Sequence, residues 1–266
     1  MDLKTMSQLP PWDWPSDAGT TLLGALRSDT SDDADRLVAA EVAGSTTVMN
    51  DDLAGALLEI IRDPGEAETM RGAAAIALGP TLAELQLNSF DALEGPPVSR
   101  GVAQAIRDCL HEVYLDAGAP KEARRRALEA SVRGEAEWHA GAVRAAYHSG
   151  DAEWKLTAVF CMSYVKGFDR EIVEVLDTED PALRYEAVHA AGNWAVDGAW
   201  PHIRALVLAG EEVDKPLLLA AIDAAVIIRP EEVADVVGDL TESEDEEIAE
   251  AVLDALAMAE GLTDMS

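Results

Sequence analysis

The chain has 266 residues, 48% hydrophobic and 5% aromatic, with 51 acidic and 20 basic side chains and a net charge of −31. Such a surface repels nucleic acid and anionic membranes at ordinary salt. Two distant cysteines, Cys109 and Cys161, with no CxxC, exclude a disulfide framework and read as buried thiols in a reducing compartment.

In chain order, residues 1–16 hold Pro10, Pro11, Trp12, Trp14 and Pro15 and read as an extended N-terminal arm. Its two tryptophans either cap the first element or stay available to a partner. Alanine and leucine dominate the remainder of the chain and no strand-like alternation persists, so helices are expected. Their predicted spans are 20–27, 32–43, 51–62 and 67–85, the last ended or kinked at Gly79-Pro80. Residues 86–99, with Gly95-Pro96-Pro97, read as a long insertion loop, either functional or covering a diverged interface. Residues 100–116 resume as an amphipathic helix with Val102, Ile106, Cys109, Leu110 and Val113 on one side. Further helices are expected at 198–208, 230–240 and 248–259. Glu244 to Glu247 precede the last, where negative charge suits a helix N-terminus. The start of the chain reads as no signal peptide. Its longest apolar stretch, 217–228, is broken by Asp223 and too short for a bilayer, so a soluble cytoplasmic protein is expected.

Residues 180–192 read DPALRYEAVHAAG, and degraded copies start at 32, 67, 120, 151, 214 and 244. The successive spacings are 35, 53, 31, 29, 34 and 30, the 53 marking the insertion. A period near 30 means a helical solenoid in which each unit buries its apolar face against its neighbours. Asp180 and Pro181 suit a helix start. Asp180 and Arg184, Asp32 and Arg36, and Asp151 and Lys155 are spaced i, i+4 for a pair on one helix face. Alanines supply a small packing surface, and Gly192 is placed to end the helix in a left-handed cap. Each motif helix is expected to form a hairpin with the helix after it.

The frame DPxxRxxAxxAxG resembles the short HEAT-like repeats found in phycobilin lyases and deoxyhypusine hydroxylases, over most of the chain from Asp32 onwards. The resemblance implies an all-α protein, a right-handed α-α superhelix (a HEAT-like helical solenoid) of about seven hairpin units over 17–266. The hydroxylase family binds two irons through several His-Glu pairs. Here the matching position reads Arg184-Tyr185-Glu186-Ala187, with tyrosine in place of the ligand, and the His-Glu pair His111-Glu112 lies outside the frame. The lyase comparison rests on the repeat alone. No Gly-rich phosphate loop, nucleophile elbow or zinc spacing occurs, so no catalytic residue, metal or cofactor is assigned.

Charge is uneven along the chain. Residues 1–99 carry 5 basic and 17 acidic side chains, residues 171–266 carry 4 and 24, and residues 100–170 carry 11 and 10. Nine of the thirteen aromatic residues fall within 138–200. Arginine and aromatic residues concentrate binding energy, which makes Arg124, Arg125, Trp138, His139 and Arg144 candidates for a partner-binding surface. Tyr147, Trp154, Lys155, Tyr185 and Trp194 continue it. The competing reading has these aromatics filling interfaces between repeats and the arginines paired with Glu122, Glu129 and Glu137. The expected function is a monomeric, non-enzymatic interaction scaffold or adaptor that binds a protein or peptide over residues 120–200. Two alternatives stand beside it: an enzyme or cofactor carrier of the lyase and hydroxylase branch, and a nucleic-acid binder using the central basic residues. The acidity reads either as adaptation to a salt-rich, halophilic cytoplasm or as recognition of a basic partner.

Overall fold

The computed structural model describes residues 1–28, 32–87 and 95–263, and among them every regular element is an α- or 3₁₀-helix and no strand occurs. The chain forms two compact units, Met1–His139 and Ala140–Ser266. The first contains α1 (Leu3–Met6), α2 (Ala18–Leu26), α3 (Asp33–Val42), α4 (Asp51–Arg62), α5 (Glu68–Ala77), α6 (Gly79–Leu87), α7 (Arg100–Leu115) and α8 (Lys121–Ser131). After α9 (His139–Tyr147), the second contains α10 (Ala152–Met162), α11 (Asp169–Leu176), α12 (Pro181–Asn193) and α13 (Trp200–Ala209). It ends with α14 (Lys215–Ile228), α15 (Val233–Val237) and α16 (Glu246–Thr263).

The seven motif helices are α3, α5, α8, α10, α12, α14 and α16, beginning one or two residues after the motif starts. Capping explains the agreement where the motif acid accepts from the first turn, whereas Ala67, Pro120 and Asp214 make no side-chain cap. Asp151 accepts from the amides of Glu153 and Trp154, Asp180 from those of Ala182 and Leu183 (3.0 and 3.1 Å), and Asp245 from those of Glu247 and Ile248. Each such cap satisfies amides that a helix start leaves open.

In the first unit, α3, α5 and α8 stack in one layer and α2, α4 and α7 in a second. In the second unit, α10, α12, α14 and α16 form one layer, with α11, α13 and α15 packed against it. Each motif helix of these pairs packs closely on the helix before it, α4 with α5, α7 with α8, α11 with α12 and α13 with α14. This corrects the expected hairpin, which joined the motif helix to the one after it. The motif arginine supplies a reason. Arg71 donates through Nε to the Ile61 carbonyl at 2.8 Å, and Arg124 to the Tyr114 carbonyl at 3.0 Å. Both acceptors sit in the last turn of the preceding helix, where carbonyls lack partners and a cation is favoured. The i, i+4 pairing is corrected with it. The acids cap amides, Arg36 instead pairs with Glu66, and the Lys155 ammonium lies over the Tyr147 ring.

The motif glycine has a different task from the one expected. Gly192 lies inside α12, and the left-handed glycines are Gly150, Gly167 and Gly210. A Cβ on Gly192 would sit 3.1 Å from the Cα of Ala224, one on Gly44 would sit 3.0 Å from the Cα of Ala77, and one on Gly79 would sit 3.5 Å from the Cα of Ala130. In each case the thirteenth motif residue faces the eleventh of the next motif. Glycine here sets the distance between successive repeats.

The N-terminal segment is not an extended arm: it holds α1 and a 3₁₀ turn, Pro11–Asp13. Trp14 donates its indole N–H to the carbonyls of Met6 and Leu9 and packs on the core, whereas Trp12 is 82% exposed. Of the expected insertion loop, residues 86 and 87 belong to α6, residues 88–94 lie outside the described residues, and 95–99 are non-helical. Ser99 donates its amide to Asp51 at 2.7 Å, which ties the start of α7 to the start of α4. No helix among the described residues is long and apolar enough to cross a membrane.

Candidate partner-binding surface

The candidate residues of the first unit are held by their own neighbours. Arg125 is buried and lies 3.0 Å from Glu122 and 3.9 Å from Glu129, itself buried. Arg126 bridges the same two acids at 2.7 and 2.6 Å. Two guanidinium groups therefore meet two carboxylates, and burial makes that arrangement costly to open. Arg124 has its Nε on the Tyr114 carbonyl. Trp138 is half-buried, stacked on His111 at 4.3 Å and on Tyr114 at 5.2 Å, with the His139 ring against its edge at 4.3 Å. His139 is buried, and burial, with the neighbouring His111, pushes its pKa down to about 4. The imidazole is thus held neutral.

The candidate residues of the second unit divide. Arg144 lies over the Phe168 ring at 5.2 Å and Lys155 over Tyr147 at 5.2 Å. Tyr147 is buried, and burial together with Glu174 and Glu171 pushes its phenol up to about 12. Trp194 donates its indole N–H to the Met162 carbonyl at 2.7 Å, Asn193 donates to the Ser163 carbonyl, and Lys166 covers the Trp194 ring at 4.9 Å. These contacts close the C-terminal end of α10 and join one repeat to the next. Trp154 is half-buried in the first turn of α10, with its amide on Asp151.

Tyr185 is placed otherwise. It stands half-buried on the outward face of α12 and lines two adjoining cavities. One, of about 330 Å³, has Leu156, Ala182 and Leu217 with Glu186 and Asp214. The other, of about 440 Å³, has Leu219 and Ala220 with His189, Lys215, Asp223 and Glu247. Pro216 borders both, so its ring and the Tyr185 ring form a wall between them. His189 meets Tyr185 edge-on at 4.5 Å. Its pKa is lowered by burial and partly restored by Asp223, while that of Asp223 is raised by partial burial and Asp254. Among the described residues no three His, Cys, Asp or Glu side chains converge as metal ligands.

No protein-family model matches the sequence, and no curated protein matches it. Solved structures do. YibA of Escherichia coli is similar over 97% of this chain and 84% of its own, with a TM-score of 0.52 and 14% identity. The fold is that of HEAT-like helical repeats. The complex of CpcE and CpcF of phycocyanin lyase from Nostoc matches 96% of this chain and 98% of its own length, at a TM-score of 0.44 and 17% identity. A designed armadillo repeat protein matches 90% and 98%, at 0.33 and 15%.

Sequence reasoning selected Tyr185 but missed His189, Pro216, Leu219 and Asp223 around it. A signal for them exists in the HEAT-like register. Tyr185 and Leu219 are the sixth residues of successive motifs, and His189 and Asp223 the tenth. In α12 and α14 these two positions come together at the cavities.

Proposed function

We propose that this protein is an interaction scaffold whose docking surface lies in the second unit, on the outward face of α10, α12 and α14 around Tyr185. The observation that supports this reading is the Tyr185–Pro216 wall with an apolar-floored cavity on either side. Rigid helical elements present it, and an aromatic ring already half out of water loses little side-chain entropy on binding. Of the other candidates, Arg124, Arg125, Trp138 and His139 are held by neighbours within the first unit, and Arg144, Tyr147, Trp154, Lys155 and Trp194 by neighbours within the second.

The test is co-purification from the native host. Tyr185→Ala is expected to lose a partner that wild-type protein retains, with an unchanged thermal melt. Trp138→Ala, whose ring is stacked inside the first unit, is expected to keep it. Arg125→Glu is unsuitable, because it would place a third carboxylate between Glu122 and Glu129. Retention of all partners by Tyr185→Ala would remove this face from consideration.

A further inference from the structure

The chemistry of the two cavities narrows what can dock there, provided that the Tyr185 face is the docking surface. Both floors are aliphatic, and the groups around them are carboxylates: Glu186 and Asp214 at one cavity, Asp223 and Glu247 at the other. Lys215 is clamped by Asp245 at 2.8 Å and Glu247 at 2.6 Å, so that trio carries a net negative charge. Lys155 is directed onto the Tyr147 ring. His189 borders the second cavity, and burial disfavours its charged form. The second unit as a whole, residues 140–266, carries 8 basic and 27 acidic side chains, a difference of −19.

We propose that the Tyr185 face binds a basic–apolar peptide segment, with apolar side chains entering the cavities on either side of the Tyr185–Pro216 wall and flanking arginine or lysine side chains meeting Asp214 and Asp223. The division of labour is a matter of general physics. Apolar contact in a preformed cavity holds the segment, and the carboxylates select and steer it. A phosphate backbone or an acidic peptide would face carboxylates of its own sign, with the one lysine of the cavity lining already clamped between acids. Arginine over the exposed side of Tyr185 gains a cation–π contact as well.

Fluorescence anisotropy with the full chain tests this directly. The probe is a labelled eight-residue peptide of alternating leucine and arginine, and the control probes carry glutamate or serine in place of arginine. A labelled single-stranded DNA oligomer covers the nucleic-acid alternative. The arginine probe is expected to bind, to weaken at least tenfold with Tyr185→Ala but little with Tyr185→Phe, and to weaken three- to tenfold with Asp214→Asn plus Asp223→Asn. Because the whole surface is acidic, a control pair on the other layer is needed. Asp235→Asn with Asp239→Asn is expected to change affinity less than twofold. Equal weakening by that control pair would overturn the proposal, showing diffuse attraction only. Tyr185-dependent binding of the glutamate or serine probe, or of the DNA, would overturn the basic class while leaving the docking face intact. Failure of every probe, with Tyr185→Ala still losing the co-purified partner, would do the same. Failure of both would remove the docking face itself.

Discussion

Arg125 and Tyr185 occupy the same place in their repeats, the sixth residue of the motif, and each has its tenth-position neighbour one helical turn on. In α8 that pair is Arg125 and Glu129, both buried and joined with Glu122 and Arg126 into a closed ionic cluster. In α12 it is Tyr185 and His189, half-buried, edge to face, with a cavity on either side of the tyrosine. One scaffold position is therefore used once to close an ionic cluster along its own helix and once to present a surface. Charge density along the sequence points to the first, because arginines are conspicuous. Availability points to the second.

The contrast is most vulnerable at the closed pair. Glu129→Ala leaves two guanidinium groups around an emptied buried site and is expected to cost about 3–5 kcal/mol, read from urea denaturation. Replacing Arg125 and Glu129 together by methionine and leucine is expected to recover most of that loss, since neither charge is then stranded. A loss below about 1 kcal/mol for Glu129→Ala would show that the cluster does not stabilise the fold.

His139 gives the next largest effect. Its pKa is depressed from the ordinary 6.5 to about 4. The folded chain thus holds fewer protons on this group than the unfolded chain between those values. Its stabilising contribution is full above about pH 6.5 and falls as the pH drops toward 4, by at most about 3 kcal/mol. His139→Phe is expected to flatten that part of the stability–pH curve relative to wild type. Parallel curves would contradict the buried neutral imidazole.

Gly192→Val tests the register that places α14 beside Tyr185. Its Cβ would press on the Ala224 backbone, and overpacking of that kind costs about 1–3 kcal/mol. It is also expected to weaken partner retention, because the two cavities span α12 and α14. Tyr185→Ala gives the smallest effect on stability, below about 1 kcal/mol, with the largest effect on binding. A large stability loss there would make Tyr185 a packing residue instead.

Much of the architecture was legible in the sequence because its signals are local. Asp180-Pro181 marks a helix start through hydrogen bonds made within three residues, and the 30-residue spacing of such starts implies stacking. The roles of Arg71, Arg124 and Gly192 were not legible, because spacing alone allows more than one partner. A motif arginine four residues from an acid can pair with it or reach ten residues back to a helix end, and the second geometry satisfies a carbonyl that otherwise lacks a donor. A terminal glycine can cap a helix or admit a neighbouring backbone, and only the packed structure shows Ala224 against Gly192. The Tyr185 cavities were half legible for the same reason. Their walls come from residues about thirty positions apart, Leu156, Ala182 and Pro216, which meet only once the register between repeats is fixed.

The most direct test is photo-crosslinking from position 185, with a benzophenone amino acid replacing Tyr185 in the native host. The same group at position 164, where Tyr164 is exposed between α10 and α11, serves as the reference. A docking face around Tyr185 gives a discrete adduct from 185 and none of that mass from 164. An adduct from 164 and none from 185 would contradict it.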